Sequence, residues 1–301
     1  MKTVTVLLST YNGEAYLPAL LDSLYAQRDM RVQILVRDDG SADGTADILR
    51  REQREGRLRW YRGENLGPAG SFFDLMAAAP RSDWYAFCDQ DDLWLPDKLS
   101  RALEMLGDDE PGRPALYYGR PKLVDAQLHP LPTTPRALET MTTLGAALVA
   151  SNATGCTMVF NRALLSILVS RPPEWVFMHD DWAHKVCLLA GGRLVFDPEV
   201  PILYRQHGGN CIGTSVTDLE KLRGHLRSLI RKDRVRSRTA AQLLACFGER
   251  MTPEDRTLVL TAARYGESLS ARMRLLREGR IRTGYHARDT LFLLAAAMKA
   301  Y

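Results

Sequence analysis

What this 301-residue chain lacks narrows its class. Its longest apolar stretch near the C-terminus, Leu291–Met298, falls far short of the about 18 residues a spanning helix requires, so the chain is not expected to cross a membrane. The five cysteines (Cys88, Cys156, Cys187, Cys211 and Cys246) are odd in number and scattered, with no Cys-x-x-Cys pair. That pattern offers neither a disulfide framework nor a zinc site, and a reducing compartment fits it best. The run Thr3–Leu8 behind Met1-Lys2 is too short for a secretory signal and reads as a buried strand, so a cytoplasmic location is expected. Low-complexity segments and internal repeats are missing too. A strong excess of one charge is also absent from the whole, at 40 Lys/Arg against 36 Asp/Glu, yet the balance is uneven: residues 215–301 hold 18 against 9, leaving 22 against 27 before them.

What is present, 46% hydrophobic and 25% charged residues, suits a soluble globular α/β domain with an appendage. In the first hundred residues short apolar runs alternate with helical periodicity, as in βαβ units around a parallel sheet. Strands are expected at Thr3–Leu8, Val32–Val36, Leu58–Tyr61 and Trp84–Cys88. Helices are expected through Tyr16–Leu24, from Ser41 or Asp43 to about Gln53, and through Phe72–Met76. Further strands are predicted at Ala115–Tyr118, near Phe160, at Val195–Phe196 and at Pro201–Tyr204, with a helix between 137 and 160. From Thr217 the chain reads as helical, which puts a boundary near residue 215: an α/β domain over 1–214 and a basic helical region over 215–301. Ligands in open α/β sheets bind beyond the carboxyl ends of the strands, so the loops at Thr10–Glu14, Asp38–Ser41 and Asp89–Asp92 should converge on one cleft.

Asp89-Gln90-Asp91-Asp92 puts three carboxylates at the end of an apolar strand. Mg²⁺ and Mn²⁺ take oxygen ligands and are commonly held by one or two carboxylates plus substrate phosphates. For an isolated Asp-x-Asp the commoner reading is a solvated turn in which Asp92 or Asp97 caps the next helix. Its context favours the metal seat. Val6-Leu7-Leu8-Ser9-Thr10-Tyr11-Asn12-Gly13, Val36-Arg37-Asp38-Asp39-Gly40-Ser41-x-Asp43-Gly44-Thr45 and Phe87-Cys88-Asp89-Gln90-Asp91-Asp92-Leu93-Trp94 resemble the family 2 inverting glycosyltransferases in order and spacing. The likeness continues through Asn65-Leu66-Gly67 and His179-Asp180-Asp181-Trp182 to Tyr204-Arg205-Gln206-His207-x-x-Asn210-x-x-Gly213, and is especially similar to the bacterial rhamnosyltransferase-like members. It spans about residues 3–213.

The resemblance implies a GT-A fold, a nucleoside-diphosphate sugar donor (dTDP- or UDP-linked), Mg²⁺ or Mn²⁺, a saccharide or lipid-linked acceptor, and single displacement with inversion. It places Thr10, Tyr11, Asn12, Glu14, Asp38, Asp39, Asn65 and Asp89 at the nucleotide, a carboxylate being a sensible acceptor for an imide N–H. Asp38-Asp39-Gly40-Ser41 also reads as a tight turn and helix cap. Asp91 is the first choice for the metal. Asp180 is the candidate base, with Asp181 assigned the plainer part of stabilising a helix start. Arg205 could pair bidentately with phosphate oxygens, and His207 could reach the pyrophosphate or metal, or merely bond the loop. Gly155-Cys156-Thr157 reads equally as acceptor lining or the start of a buried strand.

The basic tail alternates Arg/Lys with Leu, Ile and Met, as in Leu226–Arg231 and Met273–Arg277. It would dock peripherally on an anionic membrane, or pack on the acidic body with its arginines in solvent. No aromatic interleaving accompanies the charge, so nucleic acid is not an expected partner. Two rivals remain. A nucleotidyltransferase would want a Gly-rich phosphate loop that Ser9–Gly13 does not supply, and a sugar-nucleotide-binding subunit would keep the cleft without turnover.

Overall fold

The computed structural model describes residues 2–107, 112–131, 141–151, 153–207 and 234–301. The first half alternates as expected: β1 (Thr3–Thr10), α1 (Leu17–Tyr25), β2 (Arg31–Asp38), α2 (Thr45–Arg54), β3 (Arg59–Arg62), α3 (Gly67–Ala78) and β4 (Trp84–Asp89). There follow β5 (Leu93–Trp94), α4 (Lys98–Leu106), β6 (Ala115–Gly119), β7 (Lys122–Val124), α5 (Leu144–Val149), β8 (Val159–Asn161), α6 (Arg162–Ser170), α7 (His179–Leu189), β9 (Arg193–Asp197) and β10 (Ile202–Arg205). The C-terminal helices are α8 (Val235–Phe247), α9 (Pro253–Ala263), α10 (Leu269–Arg277) and α11 (His286–Ala297). Helix α6 was not among the expected elements, and α4 entered only as the next helix that Asp92 or Asp97 would cap. The boundary proposed near 215, the segment Leu226–Arg231 and the motif residues Asn210 and Gly213 lie outside the described residues.

The main sheet has seven strands in the order β3-β2-β1-β4-β8-β6-β9, and a smaller sheet has the order β5-β10-β7. All neighbours in the main sheet are parallel except those of β8, which is antiparallel to β4 and to β6. Strand periodicity divides the apolar side chains between the two faces. Val4, Val6, Leu8, Ile34, Val36 and Ala86 enter one core with the Leu17, Leu20 and Leu24 stripe of α1. Leu7, Leu35, Tyr85 and Phe87 enter the other, with Phe72 and Leu75 of α3 and Trp182 and Val186 of α7. Sheets covered on both faces need such near-continuous apolar strands. The second core extends through α5 into the C-terminal helices, taking in Leu243, Phe247, Val259, Leu275, Phe292 and Tyr301, and Tyr301 Oη donates to the Leu148 carbonyl at 3.0 Å. Of the two fates considered for the tail, this packing is the one its inner faces adopt.

At the far side of the sheet Asp197 is fully buried. Its carboxylate accepts from Arg101 Nε at 2.6 Å and Nη2 at 2.9 Å, and from Tyr117 Oη at 2.5 Å. Gly119 pairs with Asp197 across β6 and β9, and a Cβ there would lie 2.0 Å from the Asp197 carbonyl oxygen. Backbone cannot yield as a flexible side chain does. Gly119→Ala is therefore expected to lose about 1–3 kcal/mol of stability, seen as a lower urea midpoint at nearly constant slope; an unchanged midpoint would show that β9 can shift.

Candidate active site

Strand register brings the expected loops together. Thr10 is level with Asp38 on β2, and Ser9 with Asp89 on β4, so the ends of three adjacent parallel strands present one rim. Gln90 ties this rim together, a role the sequence reading did not give it. Its Oε1 accepts from Thr10 Oγ1 at 2.7 Å and from Tyr11 N at 2.8 Å, while its Nε2 donates to the Tyr11 carbonyl at 3.0 Å. Gly13 is required for this approach, since a Cβ there would sit 2.4 Å from Gln90 Oε1.

Several residues expected at the nucleotide serve the scaffold. Asn12, in the left-handed region at φ 49°, accepts from Ala42 N through Oδ1 at 2.9 Å and donates its own N–H to Ser41 Oγ. Glu14 Oε2 accepts from Gly44 N at 2.8 Å. Asp39 is buried, and its two oxygens accept from Leu66 N and Gly67 N, both at 3.0 Å, at the start of α3, with Arg37 as ion partner. Asn65 Oδ1 also accepts from Gly67 N, at 3.0 Å. Asp38 differs. It is fully buried; Oδ1 accepts from Ser41 N at 2.9 Å, whereas Oδ2 has no hydrogen-bond partner among the described residues and Arg62 Nε is 3.8 Å away. Tyr11, half exposed, stands on the rim.

The small sheet delivers the distant end of the motif. Antiparallel pairing of β10 with β5 sets Leu203 opposite Leu93, and the chain beyond reaches back over the carboxylates. His207 Nε2 and Asp91 Oδ2 lie 2.8 Å apart, and the imidazole stacks on Tyr16 at 4.8 Å between centroids. Arg205 is buried. Its Nε donates to the Asp91 carbonyl at 2.8 Å, its Nη1 to the Ala126 carbonyl, and its backbone N–H to Asp92 Oδ1 at 3.3 Å, with the guanidinium over the Tyr16 ring. These bonds make Arg205 a support of the acidic turn. Tyr16, read from periodicity as one of the helix α1 apolar positions, is the N-cap residue whose ring supports both His207 and Arg205. Neither Asp92 nor Asp97 makes a side-chain cap on α4.

Asp89, Asp92 and Cys156 have ligand atoms within 4.8 Å of one another. Burial, then the neighbouring Asp91 and Asp180, raises the Asp89 carboxyl to about 8. Beneath them Lys98 is wholly buried, its ammonium 3.4 Å from the centroid of the Trp94 ring. Burial brings it down to about 8 against the pull of Cys156, Cys88 and Asp92. Lys98 thus joins Arg205 as a buried cation beside this acidic set, and a helix pattern alone gives no sign of it.

Helix α7 begins at His179, as the motif suggested. His179 is buried between Phe72, stacked at 3.8 Å, and the edge of Phe87 at 4.7 Å, and burial pushes it down to about 3. It is a neutral wedge behind Asp180. Gly155 accommodates it, because a Cβ there would lie 2.7 Å from His179 Nε2. The segment Gly155–Thr157 is a buried 3₁₀ turn, whose Gly155 N–H donates to Asp180 Oδ2 at 2.9 Å and whose Cys156 faces Asp92. Asp180 Oδ1 accepts from Asp181 N at 2.6 Å; both aspartates stand in the first turn of α7, where no side chain caps the helix, and Asp181 also pairs with Lys185. Burial and the adjacent Asp181 charge raise Asp180 to about 6.

The Gln90 bridge has a direct test. Gln90→Leu keeps the size and removes the bonds, and is expected to speed amide exchange at Tyr11 about tenfold, the equivalent of one net hydrogen bond, with little change in melting temperature. Unaltered exchange would mean that Asn12 and Glu14 hold the loop unaided.

The description "Glycosyl transferase family 2" matches residues 5–168, more than half the chain. A dTDP-rhamnosyl transferase of Shigella flexneri is 26% identical over 232 residues, covering 70% of this chain and 75% of that protein. An uncharacterised glycosyltransferase of Nostoc sp. (strain PCC 7120) is 35% identical over 104 residues, 34% of this chain and 32% of its own length. Among solved structures, a mannosyltransferase of Pyrobaculum calidifontis in complex with GDP-Man and Mn²⁺ aligns over 99% of this chain and 86% of its own, with TM-score 0.57 and 20% identity. The architecture is GT-A, a mostly parallel sheet flanked by helices. From the extent of the family match, together with the strand-end carboxylates it includes, the chain belongs to glycosyl transferase family 2.

Proposed function

We propose that this glycosyltransferase transfers a sugar, rhamnose being the favoured one, from a nucleoside-diphosphate donor to a saccharide or lipid-linked acceptor of bacterial polysaccharide synthesis, with inversion and with Mg²⁺ or Mn²⁺ at the cleft. The Shigella flexneri relative is named as a dTDP-rhamnosyl transferase, which supports the sugar. The observation that carries the reading is the meeting of Asp89, the Asp91–His207 pair and Asp180 at one cleft.

The side chains fit a divalent cation. Asp91 and His207 offer an oxygen and a nitrogen 2.8 Å apart, and Asp89 is raised to about 8 by burial and then by neighbouring carboxylates whose charge a cation would offset. When bound, the metal supplies positive charge to the leaving diphosphate. The chain's own residues do the rest. Asp38 Oδ2 is the acceptor for a pyrimidine imide N–H, and Tyr11 flanks the base; Thr10, Asn12, Glu14, Asp39 and Asn65 act on the nucleotide through the loops they hold. Arg205 fixes the Asp91 turn from beneath. Asp180 removes the proton from the attacking acceptor hydroxyl, its carboxylate oriented by the N–H groups of Gly155 and Asp181. Each oxygen retains a second lone pair for that proton. Among the described residues no helix is long and apolar enough to cross a membrane.

A thermal-shift panel of UDP, dTDP, GDP and CMP with and without Mn²⁺ tests binding, because a ligand specific for the native state must raise its melting temperature. One diphosphate should stabilise the wild type only with metal, and Asp91→Ala should abolish the effect; no shift with any nucleotide would overturn the reading. The base is tested separately. Asp180→Asn should lower kcat by about 10²–10⁴-fold while leaving the nucleotide shift intact. With Asp180 near 6, the wild-type rate should fall tenfold per unit below about pH 6, where the carboxylate takes up a proton. The same raised value means that ionising Asp180 in the fold is unfavourable, so its effect on stability worsens as pH rises from about 4 through about 6. Asp180→Asn should therefore melt higher than wild type at pH 7, and a lower melting temperature would contradict this.

A further inference from the structure

We propose that the outward faces of α10 and α11 form a docking surface for an anionic lipid bilayer. Arg272 Nη1 of α10 donates to the Ala297 carbonyl of α11 at 3.4 Å, so the beginning of α10 lies against the end of α11. At that shared end, Leu269 and Met273, one turn apart, are 69% and 37% exposed, and Leu294 and Met298, also one turn apart, are both 49% exposed. These four are not the packing residues of their helices. Leu275, Phe292 and Ala296 occupy the inner faces and are buried in the core. The two helices therefore have apolar side chains on two sides, and only the inner side has a partner among the described residues.

Charge complementarity identifies the occupant. Residues 269–301 hold seven Lys/Arg (Arg272, Arg274, Arg277, Arg280, Arg282, Arg288 and Lys299) against Glu278 and Asp289. Arg274 follows Met273, Arg277 stands one turn beyond it and Lys299 follows Met298, and all three are exposed. Aliphatic side chains bordered by cations suit the boundary between head groups and acyl chains, where apolar groups insert and basic ones stay with anionic phosphates. Nucleic acid is disfavoured because the exposed side chains include no aromatic platform for bases. Through α5, which packs on both α11 and α7, the surface belongs to the same rigid core as the helix that begins at the Asp180 end of the cleft. The proposal goes beyond the proposed reaction and does not depend on its donor.

The test is co-sedimentation of the full chain with vesicles of phosphatidylcholine alone or mixed with phosphatidylglycerol. Wild type should bind the anionic vesicles at least about tenfold more strongly than the neutral ones, and less so at high salt. The pair Arg274→Glu and Arg277→Glu, and separately the pair Leu294→Ser and Met298→Ser, should each reduce that binding about tenfold or more while keeping the wild-type melting temperature and nucleotide-induced shift. Absence of vesicle binding overturns the proposal. So does equal binding by either double variant, or a solution dimer that the Leu294→Ser and Met298→Ser pair dissolves, which would assign the face to a second copy of the chain. Loss of the nucleotide shift in wild type would instead count against the proposed reaction alone.

Discussion

Like charges crowded at low dielectric are the constraint around which this cleft is built. Asp89, Asp91, Asp92 and Asp180 stand above the ends of parallel strands, where burial strengthens their mutual repulsion. Each is stabilised differently. Asp91 faces His207, Asp92 accepts a backbone N–H from Arg205 and lies above buried Lys98, and Asp180 is held by two N–H groups. Burial, then the neighbouring carboxylates, raises Asp89 to about 8 and lifts Asp92 well above the usual carboxylate range. A fold that concentrates negative charge in this way is prepared for a cation and a diphosphate, which complete each other's charge in the proposed reaction.

Holding such a cluster requires rigid loops, and polar side chains supply the rigidity. Asn12, Glu14, Asp39 and Gln90 join strand ends that backbone pairing no longer reaches, satisfying N–H and carbonyl groups that would otherwise be exposed near the substrate. The motif around β1 and β2 is thus largely a hydrogen-bonded frame. Asp38 is the member of that frame whose second, buried oxygen has no hydrogen-bond partner among the described residues.

The Asp180 side of the cleft depends on packing of another kind. Asp180 is placed by the start of α7, and that start is wedged by His179 between two phenylalanines and against a glycine too small to obstruct it. The rest of α7 is buried against α5 and α6, and the C-terminal helices join that core. A change far out in the tail can therefore reach the position of Asp180 through apolar contacts alone.

Periodicity and turn chemistry made the α/β alternation, the strands β1, β2 and β4, the start of α7 and the convergence of three loops legible, because those signals are local or follow from parallel topology. The residue types at the cleft were legible for the same reason, since Asp-x-Asp and His-Asp declare their chemistry wherever they stand. Their division of labour was not. That Gln90 joins the loops, that Arg205 turns toward carbonyls and that Tyr16 supports His207 depend on partners 79 or more residues away, and that Lys98 lies buried against Trp94 depends on the second small sheet. Sequence by itself determined which groups could carry charge, bond or pack in this protein. Only the tertiary structure decided which of them meet, because hydrogen bonds and buried charges are set by distances of a few ångströms that the order of residues along a chain does not specify.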